Sequence, residues 1–371
     1  MIGIRSDYPG GNIKAASAYE GSVVKLEQDM RDSAGWWFYW NFCARCEEGR
    51  EVVFEFTNGE VIGPWGPACS FDGLNWTWLG EQSMRGRQSF VYRFGADRPE
   101  VYFAFALPYQ LSHFEHWIGR IGTRPFVRLE TLCLSEQQRE VPLLLLGSPD
   151  TARRHMFFSS RHHACEAAAS YVLEGLLEEW LGHTASAEWL HEWCIHVVPF
   201  ADIDGVENGD QGKGRAPHDH NRDYIDKPIY ASTGAIMQYA SALRPDIAVD
   251  FHCPYKWGDR NDHVFIVKTG TEADRRIERL SLLLQRHSQE AGGIVHDPKH
   301  NIEKGEDWNQ PNPTCAAFML GQRVPMAFSM EIPYFGVSGM RVTADSLRRF
   351  GGVLAMALQA HIQNDATGAQ G

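Results

Sequence analysis

The sequence predicts a chain of two folded parts: a small antiparallel β-sandwich followed by a larger α/β domain with a mixed sheet. Three observations predict this fold class. The 371 residues exceed the usual length of one domain. Up to about residue 106, aromatic and β-branched runs alternate with turn signals, whereas the later residues alternate apolar strands with helical stretches. We expect the first domain to cover residues 1–110 and the second to cover residues 111–371.

The amino-terminal part is predicted to be a sandwich because short strands follow one another with turns between them. Strands are expected at 36–40, 52–56 and 101–105, and Asn58-Gly59 is a typical turn pair. No segment with helical periodicity competes with them. The many aromatic residues are compatible with a carbohydrate-binding face, but core packing is their more common use in a small β-domain.

The later residues are predicted to form the α/β domain because their apolar pattern changes period. Apolar runs predict strands at 143–146, 195–199, 247–252, 264–268 and 327–333. Apolar residues at helical spacing predict helices at 172–180, 275–289 and 347–359. Functional side chains are expected at the carboxyl ends of the strands, where α/β sheets collect their sites.

Composition excludes several classes of partner. The net charge of -12 argues against nucleic acid and anionic membranes, which attract basic surfaces, and favours a small or peptidic substrate. No apolar run reaches the roughly 20 residues of a membrane-spanning helix, and the first residues lack the pattern of a signal peptide. We therefore expect a cytoplasmic protein with reduced cysteines. The sequence gives no indication of the oligomeric state.

A histidine and a glutamate three residues apart precede the first long predicted helix, in His163-Ala164-Cys165-Glu166. At this spacing both side chains can share one side of a helical turn. A third ligand would complete a site of two histidines and one glutamate with a position left for water, the arrangement of catalytic zinc. His252 is the candidate because it ends a predicted strand. The pair alone is a weak signal, since 16 histidines make chance pairs common.

Three further motifs accompany this pattern, at 199–206 (PFADIDGV), 219–223 (DHNRD) and 331–334 (EIPY). Together they resemble the M14 zinc metallocarboxypeptidases and, within that family, the cytosolic carboxypeptidase branch. The 85 residues between Glu166 and His252 are similar to that branch and fewer than in the digestive carboxypeptidases. Because the branch carries a β-sandwich before its catalytic domain, the resemblance covers nearly the whole chain.

The resemblance implies a zinc carboxypeptidase fold, one zinc ion per chain and a role for each matching residue. His163, Glu166 and His252 match the metal ligands. Glu331 matches the general base, which takes a proton from the water that the metal activates. Asp219 is similar to the acid that orients a ligating imidazole, which we expect to be that of His163. The implied enzyme is a hydrolase that cleaves a carboxyl-terminal peptide or isopeptide bond.

The same resemblance implies how the substrate is held. Asn221 and Arg222 match the pair that binds the terminal carboxylate, for which a guanidinium is well shaped. The substrate is therefore expected to be a peptide or peptide-like molecule with a free carboxylate. Arg215 is the candidate for the arginine that stabilises the oxyanion of the reaction. Lys213, in the glycine-rich loop 209–214, is the alternative cation, and the loop could equally be a turn with solvated charges.

One feature departs from the digestive enzymes and leaves the substrate class open. Those enzymes use a mobile tyrosine before the general base, but this chain has no tyrosine between Lys256 and Met330, and Trp308 lies near the corresponding place. Cations that could serve an acidic substrate side chain are Lys256, Arg260, Lys268 and Lys304, although each of them could also be a surface charge.

Two alternative functions are compatible with the same fold. An amidohydrolase of the succinylglutamate desuccinylase or aspartoacylase type would act on small acylated amino acids. The predicted sandwich and the Asn221-Arg222 pair favour the carboxypeptidase over it. A catalytically silent peptide-binding module is the third hypothesis, and the loss of Glu331 or of a metal ligand would have marked it. None of these residues is lost.

Overall fold

The computed structural model describes residues 2–367 except positions 21, 34, 36, 48, 97, 183–185 and 338. Among the described residues, the amino-terminal part of the molecule contains nine strands. These strands are β1 (Gly3–Arg5), β2 (Lys14–Glu20), β3 (Val23–Glu27), β4 (Asn41–Arg45), β5 (Glu51–Phe56), β6 (Ala68–Ser70), β7 (Thr77–Trp78), β8 (Ser89–Arg93) and β9 (Glu100–Ala104). They form two sheets, in the orders β1-β4-β9-β6-β7 and β2-β3-β5-β8.

Aromatic side chains fill the space between these two sheets. Phe42 and Phe103 come from the first sheet, and Phe54 and Phe90 come from the second. Their rings lie 4.9–5.6 Å apart at the shortest contacts, and all four are fully buried. The aromatic residues of this part therefore form a sandwich core, which is the use that the sequence favoured.

Two details of the sandwich differ from the prediction. The β3–β5 pair is parallel, while the other pairs of both sheets are antiparallel. The strand predicted at 36–40 is not a strand: Trp36 lies outside the described residues, and 37–40 lead into β4 without strand pairing. Phe38, Tyr39 and Trp40 are all buried, whereas a strand of a sandwich buries alternate side chains.

A seven-stranded mixed sheet forms the centre of the larger part. Its strands are β10 (Val127–Leu134), β11 (Glu140–Leu146), β12 (Arg154–Ser160), β13 (Trp193–Val198), β14 (Ile247–His252), β15 (Phe265–Val267) and β16 (Met326–Glu331). Their order is β10-β11-β13-β12-β14-β16-β15. The four central strands are parallel, and the outer strands add antiparallel pairs. A two-stranded ladder of β17 (Gly336–Val337) and β18 (Met340–Arg341) follows the sheet.

Helices cover both faces of the sheet. They are α1 (Leu111–Ile121), α2 (Ala167–Gly182), α3 (Ser186–Glu192), α4 (Ile203–Asn208), α5 (Ala231–Leu243), α6 (Asp274–Ala291), α7 (Cys315–Gly321) and α8 (Ala344–Thr367). Phe158 of β12 contacts Trp180 of α2, while the next residue, Ser159, contacts Cys315 of α7. Successive strand residues point to opposite faces, so α2 and α7 lie on opposite sides. The predicted fold class is confirmed.

The two parts of the chain are packed against each other. Trp65 and Trp78 of the sandwich donate through their indole N–H groups to the carbonyls of Phe335 and Val342, at 2.8 and 2.6 Å. The change from the sandwich to the large sheet falls between the end of β9 and the start of α1. Domain limits of 1–110 and 111–371 stay a prediction. No helix of the described residues is long and apolar enough to span a membrane.

Candidate active site

Three neighbouring strands of the large sheet deliver polar side chains to one edge. β12 ends at Ser160, just before His163, while β14 ends at His252 and β16 ends at Glu331. β14 pairs in parallel with both other strands, and His252 lies directly opposite Glu331. Residues that are far apart in the sequence meet here because the carboxyl ends of parallel strands share one edge.

The three predicted metal ligands converge at this edge. Nδ1 of His163 lies 2.9 Å from Oε1 of Glu166, and Nδ1 of His252 lies 2.8 Å from Oε2 of the same carboxylate. Each residue offers a ligand atom within 4.8 Å of those of the other two. The Glu166 side chain is 1% exposed and the His252 side chain is 3% exposed. Two imidazoles and one carboxylate in a buried pocket are a donor set that zinc prefers.

The outer nitrogens of both imidazoles are occupied by other polar groups. Nε2 of His163 lies 3.4 Å from Oδ1 of Asp219, as the sequence led us to expect. Nε2 of His252 lies 2.6 Å from Oδ2 of Asp250 and 3.1 Å from Nδ2 of Asn221. The hydrogen bond with Asp250 fixes the His252 ring, and Asp219 lies beside the outer nitrogen of His163, so both Nδ1 atoms face Glu166. This arrangement fits a zinc site, because ligating histidines commonly donate their second N–H to such partners.

The loop that carries His163 and Glu166 is shaped by two features of its surroundings. Arg161 adopts a left-handed backbone conformation (φ 61°), and its buried guanidinium donates to the carbonyls of Ala164 and Tyr109. Gly212 approaches so closely that a Cβ atom there would lie 2.2 Å from the backbone nitrogen of Ala164. Only glycine fits at this position, so the glycine-rich loop is a packing requirement of the site.

Asp250 is a functional candidate that the sequence prediction missed. Its carboxylate accepts a hydrogen bond from Ser159 at 2.8 Å and contacts Nδ1 of His162 at 2.8 Å, in addition to the contact with His252. All of these groups are buried. Asp250 and His252 are two residues apart in one strand, so they point to the same face, and this alternation was a signal available in the sequence.

Glu166 and Lys213 form a buried ion pair beside the metal group. Lys213 Nζ lies 2.8 Å from Oε1 of Glu166 and donates to the carbonyls of Cys253 and Pro254 at 2.8 and 3.0 Å. Burial alone would raise the pKa of Glu166, but the charges of Lys213 and the two histidines together hold it well below its ordinary value. Glu166 is therefore ionised, as a metal ligand must be.

Glu331 is placed at the same edge with an incomplete set of hydrogen bonds. It is 5% exposed, and among the described residues its Oε2 atom has no hydrogen-bond partner. Burial raises the pKa of the Glu331 carboxyl above its ordinary value, although the positive charges of His252 and Lys213 oppose this rise. A carboxylate with a raised pKa accepts protons more readily near neutral pH than an exposed one does.

Asn221 and Arg222 lie in a single helical turn at His220–Arg222. Asn221 is fixed on both sides: its side-chain oxygen accepts from the backbone of Cys315 at 2.9 Å, and its nitrogen faces His252. The guanidinium of Arg222 donates to the carbonyl of Asn221 at 3.0 Å. The described residues place no carboxylate within ion-pair distance of Arg222, which leaves its charge available for an anionic ligand.

The structure does not support an oxyanion role for Arg215. This guanidinium lies 2.9 Å from Asp202, 3.0 Å from Asp210 and 3.6 Å from Asp32, and it is not part of the wall of the active-site cavity. Its single charge is shared among these three carboxylates, of which Asp202 and Asp210 lie in the larger part and Asp32 lies in the sandwich. The cation that does reach the cavity is Lys213, the alternative that the sequence left open.

A cavity of about 410 Å³ connects these groups with the protein surface. The proposed ligands, base and carboxylate-binding residues all line it: His163, Glu166, Asp219, Asn221, Arg222, His252 and Glu331. Trp308 and Tyr255 form other parts of the wall and are 49% and 44% exposed. Trp37 lines the cavity from the side of the sandwich, so both parts of the chain shape it.

Only two of the four cations proposed for substrate selection line the cavity, Lys268 and Lys304. Lys268 is paired with Glu278 and Glu303 at 2.8 and 2.7 Å. Lys304 donates to the carbonyl of Gln310 at 2.9 Å. The other two lie elsewhere: Lys256 stacks on Trp257 and Arg260 pairs with Glu306 and Asp307.

A comparison with protein families agrees with this geometry. The family model described as zinc carboxypeptidase, M14, matches residues 115–246, which include His163, Glu166, Asn221 and Arg222. Residues 115–246 of the chain are thus similar to the M14 zinc carboxypeptidases. This match confirms the resemblance noted in the sequence and supports a metal-dependent hydrolase, with zinc as the metal of that family.

Curated relatives place the chain near the cytosolic carboxypeptidases. Cytosolic carboxypeptidase 6 of Caenorhabditis elegans is 25% identical over 274 residues, which cover 65% of this chain and 59% of that protein. Cytosolic carboxypeptidase 3 of Mus musculus is 25% identical over 236 residues, which cover 57% of this chain and 23% of that protein. The chain thus spans less than two thirds of the length of these relatives.

Solved structures share the fold over almost the whole chain. A metallo-carboxypeptidase from Burkholderia cenocepacia superposes with a TM-score of 0.80 at 16% identity, covering 98% of this chain and 100% of that one. A metallo-carboxypeptidase from Pseudomonas aeruginosa, solved in complex with (2-guanidinoethylmercapto)succinic acid, gives a TM-score of 0.77 at 20% identity, covering 97% and 99%. At these identities the likeness concerns the fold.

Proposed function

We propose that this protein is a zinc-dependent metallocarboxypeptidase that removes the carboxyl-terminal residue from a peptide or peptide-like substrate. One observation carries the proposal: the metal group, the buried Glu331 and the Asn221–Arg222 pair all line one cavity. A hydrolytic centre next to an anion-binding group selects substrates whose scissile bond is close to a free carboxylate. In line with the names of its relatives, we propose a cytoplasmic location.

His163, Glu166 and His252 would hold the zinc ion. When bound, zinc polarises a carbonyl group and lowers the pKa of water at its open position. Asp219 and Asp250 orient the two imidazoles through their outer nitrogens. These contacts support a site that is already arranged before the ion binds.

Glu331 is the proposed general base and general acid. Its buried carboxylate takes a proton from the attacking water and passes it to the nitrogen of the leaving amino acid, so the peptide bond breaks with proton balance. The raised pKa of Glu331 and the unpartnered Oε2 atom support this role. A carboxylate already committed to several hydrogen bonds would be a weaker base.

Asn221 and Arg222 are the proposed binding site for the substrate's terminal carboxylate. Asn221 is fixed by Cys315 and His252, and Arg222 presents a guanidinium with free donors to the cavity. The Pseudomonas relative was solved with a succinic acid derivative, a dicarboxylate, which is compatible with a carboxylate-binding cavity in this fold.

Lys213 is the proposed electrostatic stabiliser of the oxyanion. We expect Lys213→Met to lower kcat by about 10²–10³-fold, because it removes a cation that lines the cavity beside the proposed metal ligands. Arg215→Met should instead lower the free energy of unfolding by about 3–5 kcal/mol, because three carboxylates lose their buried partner. Steady-state kinetics and chemical denaturation measure the two effects.

Arg275→Met, which removes an exposed arginine, is the matched control and should change neither quantity. A large loss of kcat in a fully stable Arg215→Met protein would contradict this assignment and return the oxyanion role to Arg215.

Arg222→Gln should weaken the recognition of the free carboxylate. We expect kcat/KM on a peptide with a free carboxyl terminus to fall by about 10–10²-fold, since a charge-assisted contact contributes roughly 1.5–3 kcal/mol. Wild type should not cleave the same peptide with an amidated terminus. The measurement compares both peptides with both proteins. Equal cleavage of the two peptides by wild type would show that Asn221 and Arg222 do not select the terminal carboxylate.

A panel of substrates tests the proposed function as a whole. Peptides with different carboxyl-terminal residues and small acylated amino acids are incubated with the zinc-loaded protein, and the products are identified by mass spectrometry. Release of single carboxyl-terminal residues supports the proposal. Turnover of acylated amino acids alone would favour the amidohydrolase, and binding of peptides without cleavage would favour the silent module.

A further inference from the structure

A second cluster of metal-binding side chains lies at the opposite end of the large sheet. His155 is the second residue of β12, and Cys194 and His196 are near the start of β13. The two strands are parallel, and His155 lies directly opposite Cys194. Residues i and i+2 of a strand share a face, so all three side chains point the same way. At 3.3 Å per residue, His155 is about 17 Å from the carboxyl end of β12, which precedes the proposed catalytic metal group.

The donor atoms of this cluster are as close together as those of the catalytic group. Nδ1 of His155 and Nε2 of His196 are 3.1 Å apart, and each residue of the cluster offers a ligand atom within 4.8 Å of the others. Nitrogens bound tetrahedrally to zinc at about 2.0–2.1 Å are about 3.3 Å apart. The two imidazoles would therefore have to separate by only a few tenths of an ångström to bind an ion.

The side chains around the cluster hold its donor atoms in place. The hydroxyl group of Tyr239 lies 2.7 Å from Nδ1 of His196 and fixes that ring with Nε2 towards His155. Cys194 and His196 are buried, while His155 is partly exposed and gives solvent access. A hydrogen bond between the two histidines explains why their rings are in contact. It does not explain the position of the Cys194 thiol, which forms no disulfide.

The charge states of the side chains are compatible with a bound cation. Burial lowers the pKa of His196 to about 3 and also lowers that of His155, so both rings are neutral at pH 7, as ligands must be. Burial raises the pKa of Cys194 to about 12, so an ion must displace the thiol proton. Of the neighbouring charges, Arg128 is paired with Glu130 at 2.7 Å.

We propose that His155, Cys194 and His196 bind a second metal ion of the class that prefers imidazole and thiolate, with Zn²⁺ as the first candidate. The ion replaces the thiol proton, which is released to solvent, and water takes the fourth position. It links the starts of β12 and β13 and therefore stabilises the fold. This inference does not depend on the proposed peptidase activity. It changes the expected zinc content from one ion per chain to two.

The full-length protein, stripped of metal and then titrated with Zn²⁺ or Co²⁺, tests the proposal. Elemental analysis should give two ions per chain for wild type, one for His252→Ala, one for Cys194→Ser and none for the double variant. The Co²⁺ forms of wild type and His252→Ala should show a thiolate-to-cobalt charge-transfer band, and Cys194→Ser should lack it. The catalytic group contains no cysteine, and loss of the band in Cys194→Ser distinguishes this cluster from the group of His162, Asp250 and Cys315, whose thiol that variant leaves in place.

Cys133→Ser is the matched control, since Cys133 is partly buried and lies outside every metal-binding group found among the described residues; it should behave as wild type. If Cys194→Ser does not fold, His155→Asn at the partly exposed position replaces it. The proposal is wrong if wild type shows no thiolate band, or if Cys194→Ser and His155→Asn both keep the wild-type ion count. Metal binding by His252→Ala would support it even if no peptide were cleaved.

Discussion

Glu331→Gln is expected to reduce kcat on a peptide with a free carboxyl terminus by about 10²–10⁴-fold, the usual contribution of general acid–base catalysis. The amide keeps the size of the side chain but can neither take a proton from water nor pass one to the leaving amine. Because Glu331 lies at the end of β16 and is not one of the proposed metal ligands, zinc content and melting temperature should stay close to wild type. KM should change little, since Asn221 and Arg222 bind the carboxylate.

Kinetics, zinc analysis and thermal unfolding of the same preparation separate these effects. Glu51→Gln, at an exposed position of the sandwich, is the matched control and should have wild-type kinetics. Undiminished cleavage by Glu331→Gln would exclude Glu331 as the base. A loss of activity accompanied by a loss of zinc would mean that Glu331 acts as a ligand or supports the ligands.

His252→Ala is expected to abolish activity by removing a metal ligand. The count of bound zinc should fall by one per chain, and addition of zinc at concentrations that saturate wild type should not restore cleavage. Asp250→Asn should have a milder effect, with a decrease in metal affinity of about 10–100-fold, because it changes the group that orients His252. Activity of Asp250→Asn should therefore return when excess zinc is added.

His116→Ala, at an exposed position of α1, controls for the loss of an imidazole and should keep both zinc and activity. Chelation of wild type should abolish cleavage reversibly. Retention of full activity by His252→Ala, or by chelated protein without zinc, would contradict the metal assignment. An Asp250→Asn protein with unchanged zinc affinity would show that Asp250 does not position the ligand.

Local patterns predicted the parts of the site that lie on single elements. His163 and Glu166 are three residues apart, and His252 ends an apolar run, so spacing and strand position made these three residues candidates, and the family resemblance strengthened the prediction. The resemblance to a family added Glu331, which no local pattern connects with the other three. The structure shows why: β16 lies beside β14 in the sheet, although 73 residues separate the end of β14 from the start of β16.

Other parts depended on three-dimensional packing and could not be predicted. Lys213 and Arg215 are two residues apart. Only the folded positions of Asp202, Asp210 and Asp32 show that Arg215 is the cation that is paired outside the cavity. The segment 37–40 has the composition of a strand, but packing overrides that preference: Phe38 contacts Tyr334 of the larger part, while Trp40 packs on Phe90 in the sandwich. His155 and Cys194 are distant in sequence and meet only because their strands pair.

Trp37 brings the amino-terminal sandwich into the wall of the active-site cavity. It lines the cavity and packs edge-to-face against Tyr255 at 6.1 Å, opposite the elements that carry the chemistry. Asp32 also accepts hydrogen bonds from the backbone of Gln211 and Gly212, beside the loop of the metal ligands. Specificity could therefore be redesigned from a segment about 130 residues before the first ligand, leaving the catalytic machinery untouched.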